Sequence, residues 1–477
     1  MVSLSPGDLT SGSVSRTLLA LAAPLVAQNI VHVVAAVVDT FWLGRVGEDA
    51  VAAVGLNFPV MALLFAVLFL ATTGTHILLS QRVGSDDPTG ARTVAFNGVL
   101  LAIAIGFVSA GIVVPLSGSI MGLLGAGSGV AGLAALYLAT VVVFVPFAGA
   151  SDTIENSFVG WGDSKAALYI NVTTVTTNVV LDPFLIFGWG PFPELGVQGA
   201  ALATGLGYLA GFLFALALAL GRRDSFYFTR SSISVDRGIL RELVSVGSPV
   251  AGQHAAGQSV RVIIIAIVSV VGGSAGLAAY TVGARIASVA FVPAAGLQQA
   301  AQSMVGQNVG AAKPDRAAET TTIGIAIAGG TLGGIGVLQW LFPGTITTIF
   351  VPDITPLGFE LTVQYLEILA YGYPAIGVSY ALIAAFNGVS RTRTSFAIDL
   401  CKYWGIRLPI AVLSLPAGFV LTAFGLSITP GLGWGILAIF WAVTLSNVAV
   451  AIGGWVYYRY SVRAGLYDRA VDRVAAD

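Results

Sequence analysis

Residues 24–55 return, degraded but in register, 225 positions later. Pro24, Gln28, Gly47, Ala50 and Ala53 fall on Pro249, Gln253, Gly272, Ala275 and Ala278. A second block agrees: Gln81, Val83, Gly84 and Pro88 fall on Gln307, Val309, Gly310 and Pro314 at an offset of 226. A duplicated chain folds as two copies of one architecture, so function is sought where the copies differ. Asp39 is such a difference, since Ile264 stands opposite it.

The medium follows from what the chain lacks. Charged residues are 9% and hydrophobic ones 56%, with a mean hydropathy of +0.89. About a quarter of a soluble domain is charged, so this chain has too few ionic groups to cover a surface facing water. Apolar runs long enough to cross roughly 30 Å of hydrocarbon fall at 17–44, 50–80, 93–115, 130–159, 165–188, 196–220, 240–271, 276–305, 318–343, 360–388, 396–424 and 432–459. The expected fold is therefore an all-α integral membrane protein of twelve transmembrane helices in two six-helix lobes related by internal duplication. The start, MVSLSPGDLTSGS, has no basic region ahead of a short apolar one, so the first span is read as retained. Cys401 is the only cysteine, which excludes an internal disulfide and a multi-cysteine metal site.

Loop charges set the orientation. Seventeen Lys and Arg flank the spans on the side of the N-terminus, and Arg45 stands alone on the other. Basic residues stay in the cytoplasm, so both termini of this multi-pass protein are expected there, in the plasma membrane. The domain reading is a first lobe over 1–220, a basic cytoplasmic linker over 221–239 carrying Arg222, Arg223, Arg230 and Arg237, and a second lobe with a tail over 240–477. Six spans per copy give both copies the same orientation, about an axis along the membrane normal, a geometry used in transport.

Ionisable groups inside spans are functional suspects because they are costly there. The first lobe holds Asp39, Asp152, Glu155 and Asp182 and no base; the second holds Glu367 and Asp399 with Arg261, Arg285, Lys402 and Arg407. A cation is expected to prefer the first. Asp39, Asp182 and Thr204 lie five, six and eight residues from the outer ends of their spans, which at 1.5 Å per residue places all three about 8 to 12 Å deep. Asn178 is one turn deeper than Asp182 on the same face, and Gln28, His32 and Asp39 share a face. The expected ion-coupling site is Asp39, Asn178, Asp182 and Thr204, an oxygen-rich set suited to a proton or to Na+. The structural alternative for Asp182 is that it ties helices together near Pro183. Gln28, His32, Gln253 and His254 are candidates for a substrate cavity. Glu367 lies about 10 Å deep, as does Arg261, so Glu367 is expected to be neutralised by Arg261 or Arg285.

Four segments resemble one known family. APLVAQNIVHVVAAVVDTFWLGRVG, FVGWGDSKAALYINVTTVTTNVVLDPFLIFG, GVQGAALATG and WGIRLPIAVL are similar to the multidrug and toxic compound extrusion transporters, and the likeness covers nearly the whole chain. It implies two six-helix lobes and export of drugs or organic cations driven by entry of H+ or Na+, with no other cofactor. Asp39 in VVDT, Asn178 and Asp182 in NVVLDP and Thr204 in GAALAT would then be the coupling residues, as in the DinF-like branch. The seventh span has Gln253, His254, Gln258 and Arg261 where the NorM-like branch carries an acid, which argues against a sodium site in the second lobe.

Other motifs have plainer readings. Gly160–Asp163 spells the GxGD of intramembrane proteases without the partner Tyr-Asp on an earlier span. The GxGxxG of 127–132 follows no strand, and the Asn171-Val172-Thr173 triplet is inside a span, out of reach of glycosylation. The glycines at 207 and 211, and at 329 and 333, are spaced for close helix packing. Asp399 and Lys402 are expected to pair or to reach the interface. Asp152 and Glu155 are expected to meet cytoplasmic water or Lys165. The reading is a monomeric secondary active exporter in contact with lipid and small molecules, without nucleic acid. The runner-up is an exporter or flippase of an anionic or lipid-linked substrate received by Arg261, Arg285 and Arg407. A membrane enzyme comes third, because no HExxH or GxSxG constellation is present.

Overall fold

An apolar chain in hydrocarbon must satisfy its own backbone, which confines it to helices. The computed structural model describes residues 6–124, 127–221, 223–352, 354–423 and 426–476, so Arg222 lies outside the described residues. In the first lobe, α1 is Pro6–Thr10, α2 Val14–Val46, α3 Glu48–Gly84, α4 Pro88–Leu123, α5 Ser128–Val142, α6 Val145–Trp161, α7 Ser164–Phe187 and α8 Val197–Leu220. In the second, α9 is Arg237–Ala290, α10 Val292–Gly310, α11 Pro314–Leu341, α12 Pro343–Phe350, α13 Pro356–Gly388, α14 Thr392–Leu400, α15 Leu408–Leu413, α16 Gly435–Arg463 and α17 Leu466–Ala476.

Among the described residues nine helices are long and apolar enough to span a bilayer, and α5 with α6, bent by 50°, make a tenth. Two local breaks account for the remainder. The 54 residues of α9 would reach about 80 Å if straight, far more than one membrane. Gly273 divides them with φ 58° and ψ −154°, a conformation glycine adopts without a Cβ clash. The eleventh span is α14, a π-helical stretch Cys401–Arg407, and α15, each short alone.

That span ends earlier than its apolar run. Helix stops at Leu413, and the expected outer end to residue 424 is instead a loop leading into a two-stranded antiparallel hairpin, Leu421–Ala423 with Leu426–Ile428. Pro416 and Gly418 separate the two, and proline cannot donate the next helical hydrogen bond.

The duplicated Gln-x-Val-Gly block is where the lobes cross. Gly84 of α3 lies so close to α10 that a Cβ there would stand 2.0 Å from the Gln307 carbonyl oxygen; a Cβ on Gly310 would stand 2.0 Å from that of Gln81. The glutamines repeat the symmetry. Gln81 donates to the Gly388 carbonyl and Gln307 to that of Gly160, each at 2.7 Å. Nearby, His76 bonds Ser303 at 2.8 Å and Gln302 at 3.0 Å.

Both chain ends dock on this same face. Arg316 holds the Ser11 and Gly12 carbonyls at 2.6 and 2.9 Å, and Tyr467 of α17 bonds Thr321 at 2.7 Å. The segment after α8 is no loose tether: Phe226 is fully buried against Phe158 and Trp161, and Asn97 grips Ser234 and Asp236 at 2.9 Å. Asp163 of the GxGD sequence caps α7 through the Ala166 amide and pairs with Arg223 at 3.1 Å, a structural role.

Candidate functional site

Three helices and a half-span build an acidic pocket in the first lobe. The glycines at 207 and 211 let α8 lie on α7, a Cβ at Gly207 standing 2.8 Å from the Thr174 carbonyl oxygen, and this brings Thr204 beside Asn178. Asp39 approaches from α2, seven residues short of its end, or about 10 Å deep. The Asp39 and Asp182 carboxyls are in hydrogen-bonding contact. Asn178 lies between them and α8. With its amide nitrogen turned to Asp39 Oδ1 (3.1 Å), its oxygen faces the Thr204 backbone nitrogen at 3.3 Å. The opposite orientation puts that nitrogen 3.4 Å from Thr204 Oγ1 but leaves both amide ends poorly matched, so the first orientation is preferred. Asp182 is 1% exposed, and its Oδ2 has no hydrogen-bond partner. The four residues expected from depth and face are thus one cluster.

Tyr137 completes it. Its hydroxyl meets Thr204 from α5, and Tyr208 of α8 lies within electrostatic reach of Tyr137, Asp39 and Asp152. Neither was expected from the sequence. The bend between α5 and α6 shifts residues off a straight helical face; a polar-tipped aromatic amid small residues was the available signal.

Deeper in the lobe, the expectation that Asp152 and Glu155 meet cytoplasmic water or Lys165 does not hold for Glu155. It is 9% exposed and accepts from Gln28 Nε2 at 2.5 Å. Gln28 therefore belongs to the lobe interior rather than to a substrate cavity, as its 8% exposure shows. His32 pairs with Asn171 at 2.6 Å.

A cavity of about 510 Å³ lies between the lobes, and Gln253 and His254 do line it. His254 stacks on Phe69 of the other lobe, ring centroids 4.1 Å apart. Asp399 pairs with Lys402 and accepts from Gln253 at 2.5 Å. Arg261 and Arg407 face the cavity, whereas Asp39, Asp152, Glu155 and Asp182 are not among its lining residues.

The expected pairing of Glu367 is not formed: among the described residues neither Arg261 nor Arg285 makes an ion pair with it. A shared depth does not fix the direction around the helix axis. Tyr365 of α13 lines the cavity with Arg261, and Glu367, two residues on, is turned about 200° away. Arg285 is exposed.

Two matches to one family model, MatE, cover residues 24–184 and 249–413. The chain belongs to the MatE family. It is a membrane transporter of the multidrug efflux class, not an enzyme. The second match begins 225 residues after the first, the spacing of the internal repeat. Among relatives, a probable multidrug resistance protein NorM of Thermotoga maritima is 25% identical over 83% of this chain and 85% of its own. An FAD transporter of Shewanella oneidensis is 26% identical over 85% of this chain and 89% of its own. The fold is shared with a MOP superfamily transporter from Pyrococcus furiosus, TM-score 0.87 at 22% identity, over 97% of this chain and 99% of that one.

Proposed function

We propose that the chain is a secondary active exporter of the plasma membrane, termini in the cytoplasm, driven by H+ or Na+ entering at Asp39, Asn178, Asp182 and Thr204. The observation carrying this reading is the contact between two carboxyls in a lobe with no intramembrane base. Two carboxylates in hydrogen-bonding contact repel unless a proton or a cation stands between them, so the pair binds one or the other. A proton joins the oxygens directly. Na+ would use the same oxygens with the Asp182 Oδ2 that lacks a partner among the described residues and Thr204 Oγ1, and would be joined by the Asn178 carbonyl once that amide turns over, a hard-donor set.

Competition of ion and substrate for one carboxylate, the simplest route to antiport, fits poorly with a cavity that these acids do not line. Coupling through α2 fits better. Asp39 holds one end of it to α7, and its middle meets the second lobe, where Gly296 of α10 would place a Cβ 2.7 Å from Val26 Cγ2. Loading the acid pair then alters how α2 seats on α7 and so how the lobes meet. The substrate occupies the central cavity. The NorM relatives favour drugs or organic cations; Arg261 and Arg407, with the relative named an FAD transporter, favour an anion.

Proteoliposomes with proton and sodium gradients imposed separately test the reading. Asp39→Asn preserves shape and removes the charge, so gradient-driven transport should fall to the level of empty vesicles while the protein still inserts. Undiminished gradient-driven transport by that variant would remove Asp39 from the coupling site.

A further inference from the structure

The charge inside the central cavity opposes that expected from the acidic first lobe. Four fixed ionic groups line it: Asp399, Lys402, Arg261 and Arg407. Asp399 and Lys402 neutralise each other. Arg407 donates to Ser446 Oγ at 3.0 Å, to the Val443 carbonyl at 3.3 Å and to Asn447 Oδ1 at 3.4 Å, all uncharged. Arg261 is exposed towards the cavity and makes no ion pair among the described residues. His76 and His254 also line the cavity, and an imidazole, neutral or cationic, supplies no negative charge. Two guanidiniums therefore face the cavity without a counter-charge among the described residues, and a cleft lined by one sign of charge between low-dielectric walls concentrates the opposite ion.

The wall beside them is aromatic. Tyr280 lies within electrostatic reach of both Arg261 and Arg407. It stacks on Tyr365 with centroids 5.5 Å apart, and Tyr365 on Phe440 at 4.3 Å. Arg407 also stands 4.9 Å over the ring of Tyr403. Arg407 and Tyr403 reach the cavity from the π-helical stretch, whose wider turn departs from the α-helical face; such stretches recur at functional sites. Guanidiniums present planar, forked donors matched to carboxylate or phosphate, and stacked rings accept a flat ring system. At about 510 Å³ the cavity is within the range of small-molecule sites.

We propose that the central cavity binds an aromatic organic anion, its acid group on Arg261 and Arg407 and its ring against Tyr280, which Tyr365 and Phe440 back from behind. This rests on the exporter reading and gives its substrate class. Like charge between the guanidiniums and an organic cation works against the alternative.

Two dyes sharing the xanthene ring but differing in charge provide the test: carboxyfluorescein, an anion, and rhodamine 6G, a cation. Fluorescence anisotropy is followed on the purified full chain in detergent, with empty micelles as blank. The expected result is carboxyfluorescein binding at least tenfold tighter than rhodamine 6G. Arg261→Gln should weaken carboxyfluorescein about tenfold and leave rhodamine 6G unchanged or tighter, while Arg261→Lys, which keeps the charge and loses the fork, should fall between wild type and Arg261→Gln. Size-exclusion profiles establish that both variants are folded, which the lack of an ion pair at Arg261 favours. Binding of neither dye, preference for rhodamine 6G, or equal carboxyfluorescein affinity in wild type and Arg261→Gln overturns the proposal. No gradient is imposed, so such a result leaves ion-driven antiport to its own assay, and loss of ion dependence there leaves this one standing.

Discussion

A carboxyl inside a membrane protein needs a proton, a cation or a base, and the two lobes answer that need differently. Asp399 of the second lobe has Lys402 and Gln253. Lys402→Met removes the base and leaves a buried acid, which should cost about 3–5 kcal/mol, read as a lowered thermal midpoint in detergent. Adding Asp399→Asn should recover most of that loss; no recovery would mean that the pair is not what stabilises this region. Among the described residues, Asp39 and Asp182 of the first lobe have each other and Asn178 and no base. Asp182→Asn and Asn178→Ala should each weaken ion dependence of transport. Combined with Asp39→Asn, Asp182→Asn should add little further loss, the non-additivity of one shared site, with a coupling of about 0.5–3 kcal/mol. Additive losses would point to two separate roles.

Between elements, glycine sets the distances that make the acidic site. A side chain at Gly207 meets the Thr174 carbonyl oxygen, so Gly207→Val should push α8 from α7 and draw Thr204 away from Asn178. The prediction is reduced ion dependence without change at any of Asp39, Asn178, Asp182 and Thr204, checked by transport at stepped sodium and proton concentrations; an unchanged response would show that Thr204 is dispensable. Overpacking of this kind costs about 1–3 kcal/mol, so some loss of expressed protein is expected too.

Across the whole molecule, the lobes meet through a pseudo-symmetric contact on the face that carries both termini. Gly84 and Gly310 permit it, and the Gln81 and Gln307 side chains tie each lobe to the other. Gly84→Val should therefore disfavour the arrangement in which this face is closed. Because Cys401 is the only cysteine, spin labels on Thr89→Cys and Asp315→Cys in a Cys401→Ser background report the separation across the contact. The distribution should shift to longer distances in Gly84→Val, and an unshifted one would show that this contact does not hold the lobes together. Alternation between two lobe arrangements is a two-state equilibrium, so a variant that destabilises one of them shifts populations without creating a new state.

Depth, face and repetition were legible in the residues themselves. Helical rise is local and constant, so Asp39, Asp182 and Thr204 were placed at one level, and Asn178 on the face of Asp182, before any packing was known. Twelve spans and the duplication were legible likewise, because hydrocarbon thickness fixes how long an apolar run must be. What depth leaves open is the direction around each helix axis and which neighbour stands there. That is why Glu367 and Arg261, expected at one depth, are not paired, and why Gln28 meets Glu155 from 127 positions away instead of opening to the cavity. Tyr137 joined the acidic site through the packing of α5 against α8, and the eleventh span stopped at Leu413 although its apolar run continues. The pairing of Asp399 with Lys402 was within reach of local spacing, and Arg261 and Arg407 were named with Arg285 as receivers of an anion in the runner-up reading, but that no acid among the described residues compensates those two and that Arg285 is not in the cavity lining were not legible. Whether a charge has a partner depends on every helix packed around it, and that packing exists only in the folded chain.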